Sequence, residues 1–226
     1  MKDDPPDPPF DRRERLALLA IARRSIEAEL AGVPFSAGGI PPTPRLERHA
    51  AAFVSLRLAG ALRGCVGSLD PDEPLWTAVA GSARAAAFRD PRFDPLTPSE
   101  LSAVELEISV LGPFEPVGSH ADITVGRHGV TIRHGDRTGL LLPQVPVELG
   151  WTLEQLLGHL CLKAGLTPRQ WRDGEARLER FTAEVFSEFV ENSAGSERAE
   201  TIADRSPNNP PLPLVPPGDP RLRSYK

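Results

Sequence analysis

Leu16, Leu19, Ile26 and Leu30 recur at spacings of three, seven and four, with Arg and Glu between them. Asp11 stands where a cap belongs, so the pattern predicts an amphipathic helix over residues 11–32. Residues 1–10 hold four prolines and read as a disordered, extended lead-in. A loop carrying Gly38-Gly39 follows over 34–44. Two apolar runs, 51–58 and 62–69, flank Gly60 and predict a pair of strands. The alanine-rich stretch 74–88 has helical composition, with Pro74 in its first turn. Val104, Leu106, Ile108 and Val110 then alternate with Glu105, Glu107 and Ser109, the period of a half-buried strand. Three shorter strands are expected at 123–125, 130–132 and 139–142, and a helix at 152–163 closed by Gly165 and Pro168. The β-branched and aromatic residues of 181–189 favour a strand.

Strands mixed with segregated helices, without regular β-α alternation, give an α+β class. Residues 192–226 hold seven prolines and few large apolar side chains, so they read as a disordered tail that cannot offset its ordering entropy. No stretch approaches a membrane span, and the acidic, proline-rich start lacks the basic and apolar regions of a signal peptide. A cytoplasmic protein is expected. The formal charge of -5 gives no electrostatic footprint for nucleic acid or an anionic membrane.

Composition narrows the chemistry further. Cys65 and Cys161 are the only cysteines and are expected to be thiols. Lysine occurs at 2, 163 and 226 alone, and asparagine at 192, 208 and 209 alone. A tail without structure would leave no asparagine to orient a catalytic histidine, which excludes a Cys-His-Asn arrangement. Phosphate-cradling, dinucleotide-binding, CxxC and HExxH motifs are absent.

The string Leu62-Arg63-Gly64-Cys65-Val66-Gly67-Ser68-Leu69 is the most informative. Glycines beside a cysteine in a strand serve where a group approaches the backbone closely or a bulge re-aims a side chain. Arg63 and Cys65 share a parity, and a guanidinium near the thiol would favour its thiolate. A small buried cysteine in a kinked strand is the alternative. Asp90 and Arg92 are candidates for an internal ion pair fixing the loop after the alanine-rich helix. Glu105 and Glu107 share a strand face that is more often solvated than catalytic. His120, His128 and His134 have irregular spacing for a metal site, and none is assigned.

The motif Leu-Arg-Gly-Cys-Val-Gly resembles the signature of the AMMECR-like domain family, whose bacterial and archaeal members are called AmmeMemoRadiSam system protein A. The likeness runs through Asp90-Pro91-Arg92-Phe93, Glu107-Ile108-Ser109-Val110-Leu111, Gly126-Arg127-His128-Gly129, Leu142-Pro143-Gln144-Val145 and Lys163-Ala164-Gly165-Leu166. It covers roughly residues 11–190, so the domain is set at 11–191. The resemblance implies an antiparallel or mixed sheet flanked by helices. It also implies a smaller α+β subdomain, within roughly 45–115, inserted into the larger one, with a cleft between them. Memo-like and radical SAM proteins are the partners it implies. It implies no reaction, and no cofactor is identified.

Two readings of function follow. In the first, a cytosolic small-molecule enzyme uses Cys65 as nucleophile or covalent carrier and His128 as proton-transfer group, with Arg63 and Lys163 anchoring a small anionic molecule. Gly64, Gly67, Glu107 and Gln144 complete its candidate binding residues. In the second, the protein is a non-catalytic binding or scaffold partner, the cysteine packs, His128 is a structural residue at a loop tip, and Lys163 favours the end of its helix.

Overall fold

The computed structural model describes residues 9–38, 43–69 and 73–193. The expected lead-in up to residue 8 and the expected tail from residue 194 lie outside them. The chain is α+β and its described residues divide into two compact units: those from 9 to 110 together with 184–193, and 111–183.

The first unit begins with α1 (Arg12–Leu30). The Asp11 carboxylate accepts the Glu14 N–H at 2.8 Å and the Glu14 carboxylate accepts the Asp11 N–H at 3.1 Å. This reciprocal cap is worth about 1 kcal/mol. Phe10, just before it, is buried against Phe186, so the core takes in the end of the expected lead-in.

A hairpin follows, β1 (Ala52–Leu58) and β2 (Ala61–Ser68), turned through Ala59 and Gly60, both at positive φ. Next come α2 (Leu75–Phe88), α3 (Pro98–Leu101) and β3 (Val104–Leu111). β1 pairs antiparallel with both β2 and β3, which makes it an inner strand of the sheet. That pairing keeps residues 52–110 in one unit. The boundary between the two units falls at 110/111 and 183/184. Ala52, Val54 and Leu56 of β1 and Leu106 and Ile108 of β3 pack with Leu18 and Ile26 of α1 and Val79 and Ala83 of α2. The opposite face carries Phe53, Ser55, Arg57, Glu105, Glu107 and Ser109.

The second unit holds β4 (Glu115–Pro116), a 3-10 turn at His120–Asp122, β5 (Gly129–His134), β6 (Arg137–Leu141), α4 (Gln144–Glu148), α5 (Leu153–Lys163) and β7 (Arg177–Phe181). Its sheet runs β4-β7-β5-β6. Leu156, Leu157, Leu160 and Cys161 of α5 are buried. The expected strand at 123–125 is absent: Ile123 ends the 3-10 turn, whose Ser119 and Asp122 cap each other's backbone, and 125–127 form a turn.

The expected strand at 181–189 divides into three parts. Phe181 ends β7, β8 (Ala183–Ser187) is the edge strand beside β3, and α6 (Glu188–Ser193) follows. Phe189 is helical and exposed, so its aromatic character misdirected the expectation. Among the described residues, no helix is long and apolar enough to cross a membrane.

Candidate functional site

A two-residue turn at Ala59-Gly60 pairs Leu58 with Ala61 and Arg57 with Leu62. Continued regularly, it would bring Gly64 opposite Ser55 and turn Cys65 to the apolar face. A bulge intervenes at this point, so Leu56 pairs with Gly64 and Ser55 with Cys65. One extra residue thus re-aims the thiol to the face that carries Ser55 and Glu107.

Ser55 faces Cys65 in β2 and Glu107 in β3, which makes a cross-strand row of thiol, hydroxyl and carboxylate. The Cys65 N–H and C=O point away from β1, so this is a non-hydrogen-bonded pair, the kind whose side chains stand closest. Accordingly Ser55 Oγ donates to Cys65 Sγ at 3.2 Å. Glu107 Oε2 lies 4.0 Å from Arg57 Nε on the same face. Ser55 is buried and Cys65 half-buried.

The outward backbone groups of Cys65 are held by the segment after α2. Asp90 Oδ2 accepts the Cys65 N–H at 2.9 Å, and Arg92 Nη2 donates to the Cys65 carbonyl at 3.1 Å. The two side chains form the expected ion pair, with Nη2 to Oδ2 at 2.6 Å and Nε to Oδ1 at 2.8 Å. Burial alone would raise the Asp90 pKa; the Arg92 hydrogen bond and the Cys65 and Arg92 amides outweigh it and hold the carboxyl below its usual range.

Arg63 serves the same segment. Its guanidinium bonds Glu100 from Nε at 2.9 Å and Nη2 at 3.2 Å, and donates to the Asp94 carbonyl at 2.9 Å. These bonds, with the Thr97 amide, pull the Glu100 pKa down to about 2. Arg63 therefore anchors the 94–100 stretch to the edge of β2. Both glycines of the motif are there for close approach. A Cβ on Gly64 would lie 2.2 Å from the Ala86 carbonyl oxygen of α2, and one on Gly67 would meet the Phe53 ring at 2.4 Å.

The other expected site residues lie in the second unit. His128 is buried at 9% exposure, and its Nδ1 accepts the Thr124 N–H at 3.0 Å. Burial, reinforced by Arg180 and Arg127, pushes its pKa down and favours the neutral ring. Gly126 turns the chain at a φ of 85°, and Gly129 passes flat beneath the Phe181 ring. The Gly-Arg-His-Gly sequence is thereby accounted for as a turn.

Lys163 is exposed in the last turn of α5, and Gln144 opens α4. Cys161 is buried, which raises its pKa. His120 packs edge-on against Trp171, and His134 Nε2 lies 3.5 Å from Asp173. Among the described residues no three His, Cys, Asp or Glu side chains gather as metal ligands would. Ser55 escaped the sequence reading because its partner depends on the bulge; its parity with Phe53 and Arg57 was the available signal.

A family profile described as AMMECR1 matches residues 19–186. Protein MK0488 of Methanopyrus kandleri is 42% identical over 173 residues, spanning 73% of this chain and 83% of its own length. A protein of Methanothermobacter thermautotrophicus is also 42% identical, over 191 residues, spanning 80% of this chain and 97% of its own. The crystal structure of the uncharacterized protein PH0010 from Pyrococcus horikoshii matches with a TM-score of 0.74 at 38% identity, over 79% of this chain and 93% of that one.

Proposed function

The chain belongs to the AMMECR1 family, and we propose that in it Cys65 is the nucleophile or covalent carrier of a small-molecule enzyme working in the cytosol. The observation that carries this reading is the Ser55 hydroxyl donating to the Cys65 sulfur at 3.2 Å, in a strand position whose backbone is held on its outer side as well. A donor aimed at sulfur favours the charged, nucleophilic form, and a fixed thiol loses less entropy on reaching its attack geometry. Glu107, next in the row beyond Ser55, is the proposed proton acceptor. Arg63 is reassigned from activating the thiol to anchoring the strand edge, because Glu100 and Asp94 occupy its guanidinium. His128 is reassigned to holding its own turn.

The chemistry is tested with p-nitrophenyl acetate. Sulfur bonds to the carbonyl carbon, p-nitrophenolate leaves with the electron pair of the broken C–O bond, and the thiol proton passes to a carboxylate or to solvent. A burst of one nitrophenolate per chain, with one acetyl group on Cys65 by mass and none in Cys65→Ser, is expected. Equal release by the two proteins refutes the reading.

A second reading is a non-catalytic scaffold for Memo-like and radical SAM proteins. It is favoured by Val185, Phe189 and Val190, exposed at 40%, 66% and 54% at the end of the described chain. Retention of the full chain on an immobilised Memo-like or radical SAM protein, lost in Phe189→Ser, supports it.

A further inference from the structure

We propose, resting on the thiol reading above, that Asp90 and Arg92 are positioning residues for Cys65, an ion pair that fixes this residue at the sheet edge and balances the charge around its sulfur. β2 is an edge strand, and an edge normally leaves its outward N–H and C=O to water or to another chain. At Cys65 both are taken by the two ends of one ion pair. The Cys65 N–H meets Asp90 Oδ2, that oxygen meets Arg92 Nη2 at 2.6 Å, and the same nitrogen returns to the Cys65 carbonyl. Side chains thus reproduce the two-bond exchange of a neighbouring strand at one residue. Asp90 is 4% exposed, and its other oxygen is held by Arg92 Nε and the Arg92 N–H.

The clamp is placed by the helix before it. The carbonyl of Ala86 in α2 sits against Gly64, the last residue before Cys65, so the chain leaving α2 reaches Asp90 beside the thiol strand. Closing an edge requires only a donor and an acceptor, and a neutral pair would do that. Full charges of opposite sign add an effect of their own, because each acts on the sulfur in the opposite sense. Among the described residues of this unit, the other charged groups facing the residue are Arg63 with Glu100 beside the edge, and Glu107 with Arg57 across Ser55.

The test is the pH profile of iodoacetamide alkylation of Cys65 in the full-length protein, followed by peptide mass spectrometry with Cys161 as internal reference, in Asp90→Asn, Arg92→Gln and the double variant. Asp90→Asn leaves the cation uncompensated and should move the profile to lower pH by about half a unit to one unit. Arg92→Gln leaves the anion and should move it to higher pH by a similar amount. The double variant, which keeps an acceptor for the N–H and a donor for the carbonyl, should return close to the parent profile. Coincident profiles in folded variants, with Cys65 still reactive, overturn the inference and leave the thiol reading standing. A parent Cys65 that reacts no faster than Cys161 overturns the thiol reading itself. Failure of both Asp90→Asn and the double variant to fold would make the pair merely structural and also overturn the inference.

Discussion

Gly64 has no room for a β-carbon, and the nearest obstacle is a helix carbonyl that cannot swing aside. Gly64→Ala should therefore lower the urea stability by about 2 kcal/mol or more, through displacement of α2 from β2. Gly81, inside α2 with nothing within 4 Å of its would-be Cβ, is the control. Gly81→Ala should be neutral or stabilising by up to about 1 kcal/mol. His128→Ala removes a buried ring together with the acceptor of the Thr124 N–H and should cost about 1–2 kcal/mol in the same measurement. At this scale the motif residues were legible as a group while their jobs were not. Cys65, Gly64 and the Asp90–Arg92 pair stood out by type and spacing. The identity of the atoms that approach them depends on a partner helix far along the chain.

At the scale of elements, the hairpin shows why pattern alone stops short of a site. Alternation in β3 read cleanly because one face is apolar and the other polar, whereas β1, with Phe53 beside Ser55 and Arg57, read only as an apolar run. The glycines of β2 allow a bulge without fixing its place, since Arg63 between a leucine and a glycine fits either register, and that one residue decides which face receives the thiol. β7 went unread for a related reason: Arg177, Glu179 and Arg180 leave only Leu178 and Phe181 as apolar positions, an odd spacing for a strand.

The edge of β2 also makes a prediction about acid. The folded-state pKa of Glu100, about 2, lies below the usual value of about 4.3 for an unfolded glutamate. Its stabilising contribution is therefore complete above the unfolded value and is lost as pH falls toward 2. Thermal midpoints followed from pH 5 to pH 2 should fall more steeply in the parent than in Glu100→Gln, which takes up no proton there. Parallel curves would show that the Arg63 pair contributes nothing to folding.

Across the whole molecule, the last described elements return to the first. The Glu184 carboxylate accepts the Phe10 N–H at 2.8 Å, Glu188 takes a bidentate pair from Arg23, and buried Glu191 takes Arg15 Nε at 2.6 Å. Three acidic residues of one segment thus fasten the N-terminal helix across more than 160 positions of sequence. Glu191→Ala leaves Arg15 without its buried partner and should cost about 2–3 kcal/mol. Glu154→Ala, which breaks a pair with Arg172 between two exposed side chains, should leave the thermal midpoint unchanged. None of this stitching was visible in sequence, where 181–189 read as one strand. The α+β class was visible, because strand and helix periodicities are local. The central claim, a thiol prepared by its sheet neighbours, is tested most directly by the iodoacetamide rate of Cys65 at pH 7, set against an unstructured cysteine peptide. The account predicts a faster reaction than the peptide's, slowed in Ser55→Ala while Cys161 is unaffected. A rate at or below the peptide's, unchanged by Ser55→Ala, would contradict it.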